Sequence, residues 1–177
     1  RPIVRYRWIA QEIDHREVDS VEVWQGLCRF CVGLCKKVVV ANAAGKLAGQ
    51  YLDGDLSRLT TAGALFGILM FTIQIYYDFS AYSDMAIGMG RIFGFHYMEN
   101  FNYPYIARSV TDFWRRWHIS LSSFFRDYVY IPLGGKYRHQ LRNICLVWLL
   151  TGLWHGASWN FVLWGAWYGL LLILEKN

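Results

Sequence analysis

The apolar residues of this chain are grouped in long blocks, and narrow amphipathic stripes do not account for them. One block, residues 59–77, contains 19 residues without a charged side chain. At a rise of about 1.5 Å per residue, a helix of this length nearly crosses the roughly 30 Å hydrocarbon layer of a membrane. An earlier block, residues 21–52, is interrupted by five charged residues. It fits a buried or tilted interfacial helix as well as a full span.

A third block, residues 144–174, has no Asp, Glu, Lys or Arg over 31 positions. It is too long for one upright span and short for two. Gly152, Gly156 and Ser158 weaken a helix at the sequence TGLWHGAS. We therefore expect two helices that meet at a break containing His155. Irregular backbone at membrane depth is tolerated only where it is buried in protein or lines a cavity.

Composition and charge agree with a membrane protein. The chain is 55% hydrophobic and 18% charged, whereas an ordinary soluble domain has about 25% charged residues. Residues 108–142 contain seven Lys or Arg against two Asp, an excess equal to the net charge of +5 of the whole chain. Basic segments between spans mark the cytoplasmic side, so we expect this segment there. The membrane pattern argues against nucleic acid as its partner.

The cysteines do not form a metal-binding pattern. Cys28, Cys31 and Cys35 have spacings of three and four, which place them on one face of a helix. Zinc sites usually need a fourth ligand and a hairpin-like pair of cysteines. In an apolar helix cysteine behaves as a small hydrophobic residue. We expect neither a metal site nor a disulfide framework.

Two polar segments separate the apolar blocks. Asp78, Ser80, Tyr82 and Asp84 come directly after the expected span of residues 59–77. In lipid they would be costly, so they are predicted to face a cavity or a partner; a structural polar cluster is the alternative. Further on, residues 109–130 are predicted to form one amphipathic, interfacial helix capped by Ser109 or Thr111.

The candidate chemistry centres on histidine. An ionisable group inside a membrane segment is by default a functional hypothesis, although His155 could also be a neutral imidazole that joins two helices by hydrogen bonds. A neutral imidazole can take a proton from a hydroxyl that attacks an activated carbonyl. The sequence contains no HExxH, GxSxG or P-loop motif. Acyl transfer from a thioester remains as a candidate reaction, because a thioester is already activated and needs no metal. From its position in the sequence, His118 fits an interfacial histidine that is hydrogen-bonded to a backbone carbonyl.

Three stretches carry a resemblance to a known family: YYDFSAYSDMAIGMGRIFGF, ENFNYPYIARSVTDFWRRWHISLSSFFRDYVYIPLGG and LTGLWHGASWNFVLWG. They resemble the membrane-bound O-acyltransferases, in the bacterial branch that acetylates alginate and related polysaccharides and D-alanylates teichoic acids. The resemblance implies an all-α, polytopic transmembrane helical bundle with re-entrant and interfacial helices. Residues 1–177 would form a single central portion of that membrane domain, with further spans on both sides.

The resemblance also implies the reaction and its residues. His155 falls on the essential catalytic histidine in a membrane tunnel, and His118 on the second characteristic histidine. The implied enzyme moves an acyl group, with acetyl as first choice, from a cytoplasmic thioester such as acetyl-CoA to hydroxyls of an extracytoplasmic polysaccharide. No bound cofactor is expected. Candidate substrate-binding residues are Arg115, Arg116 and Arg126 for donor phosphates, the polar set Asp78, Ser80, Tyr82 and Asp84, and Trp154 and Asn160.

The expected location is the bacterial inner membrane, with lipid, the donor and the polysaccharide as partners. Transfer directly to the polysaccharide and relay through a periplasmic acetyltransferase partner are both open. The arginines fit ordinary positive-inside residues equally well. Two other functions remain at this stage: a transporter built on a broken helix, and a non-catalytic scaffold of a polysaccharide export complex.

Overall fold

The computed structural model describes residues 3–54, 57, 59–156 and 158–176. Within these ranges the regular structure is entirely helical. The chain divides into two compact units, residues 1–99 and residues 100–177. The all-α prediction is therefore confirmed, and each unit is described by itself.

The first unit contains a short helix and a long antiparallel pair. Helix α1 covers Tyr6–Asp14, α2 covers Ser20–Cys35 and α3 covers Asn42–Leu52. Between α2 and α3 the chain forms six π-helical residues, Lys36–Ala41, so that residues 20–52 run as one rod. Helix α4, Thr61–Ile92, returns along this rod. The side chain of Asp19 caps α2, and that of Thr60 caps α4.

Helix α4 corrects the prediction for its segment. It has 32 residues and is the one helix in the described ranges that is long and apolar enough to cross a membrane. The polar set was expected after the span, but Asp78 and Asp84 lie inside the helix. Lys37 pairs with Asp78 at 2.6 Å, and Lys36 with Asp84 at 2.6 Å. Because each carboxylate has a cation, the helix continues through a polar stretch that seemed to end it.

Helices α2 and α4 approach closely because glycines line their interface. A Cβ atom at Gly88 would lie 2.6 Å from the carbonyl oxygen of Gly26, and one at Gly33 would lie 2.7 Å from the carbonyl oxygen of Ala81. Neither position has room for a side chain, since the opposing atoms belong to the backbone. In lipid, small residues at an interface allow this backbone contact to drive helix association.

The second unit contains shorter helices. Pro104–Ile106 forms a single 3₁₀ turn. Helices α5, Val110–Arg116, and α6, Ile119–Phe125, are followed by a π-helical turn, Arg126–Tyr130. Helices α7, Gln140–His155, and α8, Trp159–Leu174, pack on each other as a hairpin. Ser109 caps α5, as one of the two predicted alternatives. Helix α8 is apolar but shorter than a full span.

The glycine contact between α2 and α4 gives a testable stability difference. Gly88→Ala is expected to lower the free energy of unfolding by about 1–3 kcal/mol, because the new methyl group meets backbone atoms that cannot move aside. Gly45→Ala is the matched control. Its methyl group would meet only the tip of the flexible Gln74 side chain, at 2.8 Å. The measurement is the thermal midpoint of the detergent-solubilised full-length protein. Equal midpoints for the two variants would contradict the packing argument.

Helix α1 is attached to the rest of its unit through His96. The Nδ1 atom of His96 lies 2.8 Å from a carboxylate oxygen of Glu12, and its Nε2 atom lies 3.0 Å from one of Glu22. A ring that serves two carboxylates donates from both nitrogens only when it is charged. The hydrogen bond to Glu12, with a smaller contribution from Glu22, raises the pKa of His96 above its ordinary value.

This attachment should be sensitive to pH. Because the pKa of His96 is raised on folding, its stabilisation is fully present below the unfolded pKa of about 6.5 and is lost as the pH rises through the folded pKa. We therefore expect the full-length protein to be more stable than its His96→Gln variant at about pH 6. This difference in thermal midpoint should shrink as the pH rises towards about pH 9. The effect should be small, since the ring is half exposed. A difference that is constant or grows with pH would refute it.

Candidate active site

The predicted break at TGLWHGAS is present, and His155 lies at it. Helix α7 ends at His155 and α8 begins at Trp159, with Ser158 as its cap. Ala157, inside the predicted break, is outside the described residues. Two glycines hold the helices together beside the break: a Cβ atom at Gly152 would lie 2.5 Å from the carbonyl oxygen of Phe161, and one at Gly165 2.5 Å from that of Trp148. This close packing fixes where the end of α7 sits on α8.

The ring of His155 is surrounded by aromatic rings. The centroid distances are 5.1 Å to Trp154, 5.1 Å to Trp164 and 6.0 Å to Phe161. Within this chain its side chain remains exposed. The imidazole is thus held laterally by apolar rings and is accessible to a reactant.

The aromatic environment of His155 continues into the core of the second unit. Trp164 contacts Trp114 and Trp148, at centroid distances of 5.7 and 5.9 Å. Tyr168 and Trp148 stack at 5.5 Å, and Ile144 and Leu172 complete the buried cluster. Aromatic pairs of this kind contribute about 0.5–1.5 kcal/mol each beyond their buried area. The wall behind His155 is therefore rigid and of low polarity.

The single helix predicted for residues 109–130 is wrong, because the chain breaks at His118. This residue has φ 46° and ψ 54°, a left-handed conformation that separates α5 from α6. Its side chain is only 3% exposed. Helical spacing of the apolar residues continues on both sides of the break, so periodicity cannot reveal it. The strained backbone needs compensation from elsewhere in the fold.

Asn100 provides that compensation, and sequence reasoning missed it. Its backbone carbonyl accepts from the N–H of Ile119 at 3.0 Å. Its side-chain Oδ1 accepts from the N–H of Ser120 at 3.2 Å and from the Ser120 hydroxyl at 2.8 Å. The same oxygen lies 3.1 Å from Nδ1 of His118. The only signal in the sequence was an asparagine in the turn-rich segment ENFNYP, which does not indicate its distant partners.

The structure brings the two histidines to the same indole. Trp154 lies between them, with ring centroids 5.9 Å from His118 and 5.1 Å from His155. Burial lowers the pKa of His118, which lies between two helices too short to span a membrane, to about 3. The His118 ring is therefore neutral near pH 7. Predicted residues His118, Trp154 and His155 form one cluster within the second unit.

The other candidates of this unit are less closely associated with the cluster. Arg116 pairs with Asp112 at 2.9 Å and donates to the carbonyl of Asn102 at 3.3 Å, which stabilises the loop. Arg126 pairs with the neighbouring Asp127 at 2.7 Å. Arg115 and Asn160 are exposed. Binding of a phosphate or another substrate group by these residues stays a prediction.

The remaining candidates belong to the first unit. Asp84 accepts from Arg29 at 2.8 Å in addition to its pairing with Lys36. Ser80 is buried, and its hydroxyl has no hydrogen-bond partner among the described residues, whereas Tyr82 is exposed. The ion pairs of Asp78 and Asp84 thus support a structural polar cluster as the role of these two carboxylates. A tunnel-lining role for Asp78, Ser80, Tyr82 or Asp84 stays a prediction.

Comparison with known proteins places this geometry in context. The chain is 48% identical over 178 residues to a probable alginate O-acetylase of Azotobacter vinelandii, covering 99% of this chain and 35% of that protein. It is 46% identical to a peptidoglycan O-acetyltransferase of Helicobacter pylori, over 85% of this chain and 29% of the relative. A teichoic acid D-alanyltransferase of Bacillus subtilis is 29% identical, over 97% of this chain and 46% of the relative.

These relatives are much longer than the chain, which spans about a third of the alginate and peptidoglycan proteins and just under half of the teichoic acid protein. The match to a family is nevertheless nearly complete, since it runs over residues 2–177. It includes both histidines and the segment around Asn100. The resemblance read from the sequence is therefore confirmed: the chain belongs to the membrane-bound O-acyltransferase family.

Proposed function

We propose that the full-length protein containing this chain is a membrane O-acyltransferase of the bacterial inner membrane. It transfers an acetyl group from a cytoplasmic thioester, such as acetyl-CoA, to hydroxyls of an extracytoplasmic polysaccharide, with alginate as first choice. The observation that carries the proposal is the position of His155 at a helix break, accessible and held by aromatic rings, in a chain of this family.

The surroundings of His155 favour a general base. Apolar rings around an imidazole disfavour its charged form, so a neutral ring with an available lone pair is expected.

The proposed step is an addition followed by an elimination. The imidazole of His155 takes the proton of a sugar hydroxyl while that oxygen attacks the thioester carbonyl carbon, forming the C–O bond. The C–S bond then breaks, and the thiolate leaves with the electron pair. The imidazolium returns its proton to the thiolate, so the histidine is regenerated. General-base assistance of this kind contributes about 10²–10⁴-fold to a rate.

The names of the relatives support a class of acceptor and do not single out one polymer. Their names refer to alginate, peptidoglycan and teichoic acid, and to acetyl and D-alanyl groups. A small acyl group and a surface polymer are common to all three. Acetyl and alginate are preferred because the alginate relatives have 44–48% identity across 99% of the chain. Direct transfer to the polysaccharide and relay through a periplasmic partner are both compatible with this proposal.

The experiment uses the full-length protein in its own membrane, with His155 replaced by Ala and separately by Gln. Ester-linked acetate on the surface polysaccharide is measured at equal protein levels. Both variants are expected to lose about 10²-fold or more of the transfer rate, because Gln keeps hydrogen bonding but cannot accept the proton. His15→Gln, at an exposed histidine beyond α1, is the control and should retain transfer.

The outcomes separate the functions. Retention of acetate in His155→Gln, with loss in His155→Ala, would make His155 a structural hydrogen-bonding residue and overturn the proposed base. Retention in both variants would overturn catalysis at this site altogether. A scaffold role would instead show loss only when the α5–α6 segment is disrupted.

A further inference from the structure

The hydrogen bonds around Asn100 determine the protonation of His118, a question that the proposed function leaves open. Oxygen and nitrogen of an asparagine amide are assigned by their partners. The backbone N–H of Ser120 can only donate, and it points at the Asn100 side-chain atom 3.2 Å away. That atom must therefore be the carbonyl oxygen Oδ1, because an amide NH₂ group cannot accept from an N–H donor.

The assignment of this atom as Oδ1 then determines which ring nitrogen of His118 holds the proton. An amide oxygen is an acceptor only, and it lies 3.1 Å from Nδ1 of His118. Two lone pairs facing each other at that distance would repel, so Nδ1 must hold the proton and donate. In a neutral imidazole one nitrogen is a donor and the other an acceptor. The lone pair of His118 consequently belongs to Nε2.

The hydroxyl of Ser120 also lies near Nδ1 of His118. Its hydroxyl lies 3.4 Å from Nδ1 but 2.8 Å from Oδ1 of Asn100. The shorter contact takes the hydroxyl proton, since a hydroxyl has a single donor. Ser120 therefore does not supply a proton to Nδ1, and the assignment of the tautomer stands. His118, Asn100 and Ser120 are each no more than 3% exposed, so bulk water does not compete.

We propose that Asn100 is a positioning residue of the active site, which holds His118 in the tautomer with its proton on Nδ1 and its lone pair on Nε2. The proposal deepens the proposed acyl transfer and rests on it for the role of His118. It also specifies what Nε2 can bind: as an acceptor, this atom takes a hydrogen bond only from an O–H or N–H donor. His118 accordingly does not donate a hydrogen bond to the thioester oxygen, and stabilisation of that oxygen falls to other groups.

The first test is independent of activity. The full-length protein, labelled with ¹⁵N-histidine and held in lipid bilayers, is studied by solid-state NMR, with His118 assigned by its loss in His118→Gln. Protonated and unprotonated ring nitrogens have well-separated ¹⁵N shifts. The expected result is a protonated Nδ1 and an unprotonated Nε2 at pH 7. A protonated Nε2 would overturn the proposal whatever the enzyme's activity.

The second test asks whether Asn100 acts through His118. Membrane vesicles containing the full-length protein are given acetyl-CoA and alginate, and thiol release and esterified acetate are measured. Asn100→Ala should lower the rate about 10- to 100-fold, less than the roughly 10²–10⁴-fold expected for loss of a general base. Asn102→Ala, an exposed asparagine of the same loop, is the matched control and should retain the rate.

Asn100→Asp separates the two roles, because a merely structural role of Asn100 predicts no change in the pH profile of this variant. A carboxylate still accepts from Nδ1 and from Ser120, so the fold and the activity near pH 8 should be preserved. Its negative charge raises the pKa of His118. As the pH falls, His118 then becomes protonated, Nε2 loses its lone pair, and the acid limb of the pH profile begins at a higher pH than in the parent, whose acid limb comes from protonation of His155. His155, the titratable side chain of the same unit that acts on His118, is unchanged in both proteins.

The combined outcomes are decisive. An acid limb that is shifted to higher pH in Asn100→Asp, together with the expected NMR spectrum, supports the assignment even if Asn100→Ala fails to accumulate. A pH profile of Asn100→Asp that matches the parent overturns it. If the parent itself releases no thiol from acetyl-CoA, the proposed donor fails, and the NMR result still decides the tautomer.

Discussion

The second unit depends on one oxygen atom, Oδ1 of Asn100. It receives donors from His118 and from the backbone and hydroxyl of Ser120, and these are the groups that a left-handed residue at His118 would otherwise leave unsatisfied. A buried donor without an acceptor costs about 1–3 kcal/mol. Together with the backbone carbonyl of Asn100, which accepts from the N–H of Ile119, this acceptor stabilises the break between α5 and α6 and the buried side chain of His118.

The sequence was informative wherever the signal is local. The apolar blocks, the break at TGLWHGAS and the cap at Ser109 could be predicted, because glycine, serine and hydrophobic runs act on their immediate neighbours. The break at His118 could not be predicted. No helix-breaking residue stands there, and its cause is an asparagine 18 positions earlier in the chain. His155 could be identified because it is the sole histidine in a long run without Asp, Glu, Lys or Arg, whereas Asn100 is an ordinary polar residue in a polar loop.

The charged residues show the same contrast between local and distant partners. Asp78 and Asp84 seemed to end a span because the sequence does not show what neutralises them. Lys36 and Lys37 lie more than forty residues earlier, at the start of the π-helical turn, and meet these carboxylates across the helix pair. A helix can therefore pass through a polar segment when its partner helix brings matching charges. Hydropathy along one segment contains no information on that pairing.

The π-helical turn between α2 and α3 makes the length of this segment matter for the packing of α3. A regular helix advances about 100° per residue, and a π turn absorbs additional rotation within an otherwise continuous rod. Loss of one residue from Lys36–Ala41 would restore regular winding and turn all of α3 by about that angle relative to α2. Ala44 and Ala48, now buried, would rotate away from their contacts. A change in the length of this segment should therefore disturb the packing of α3 along its whole length.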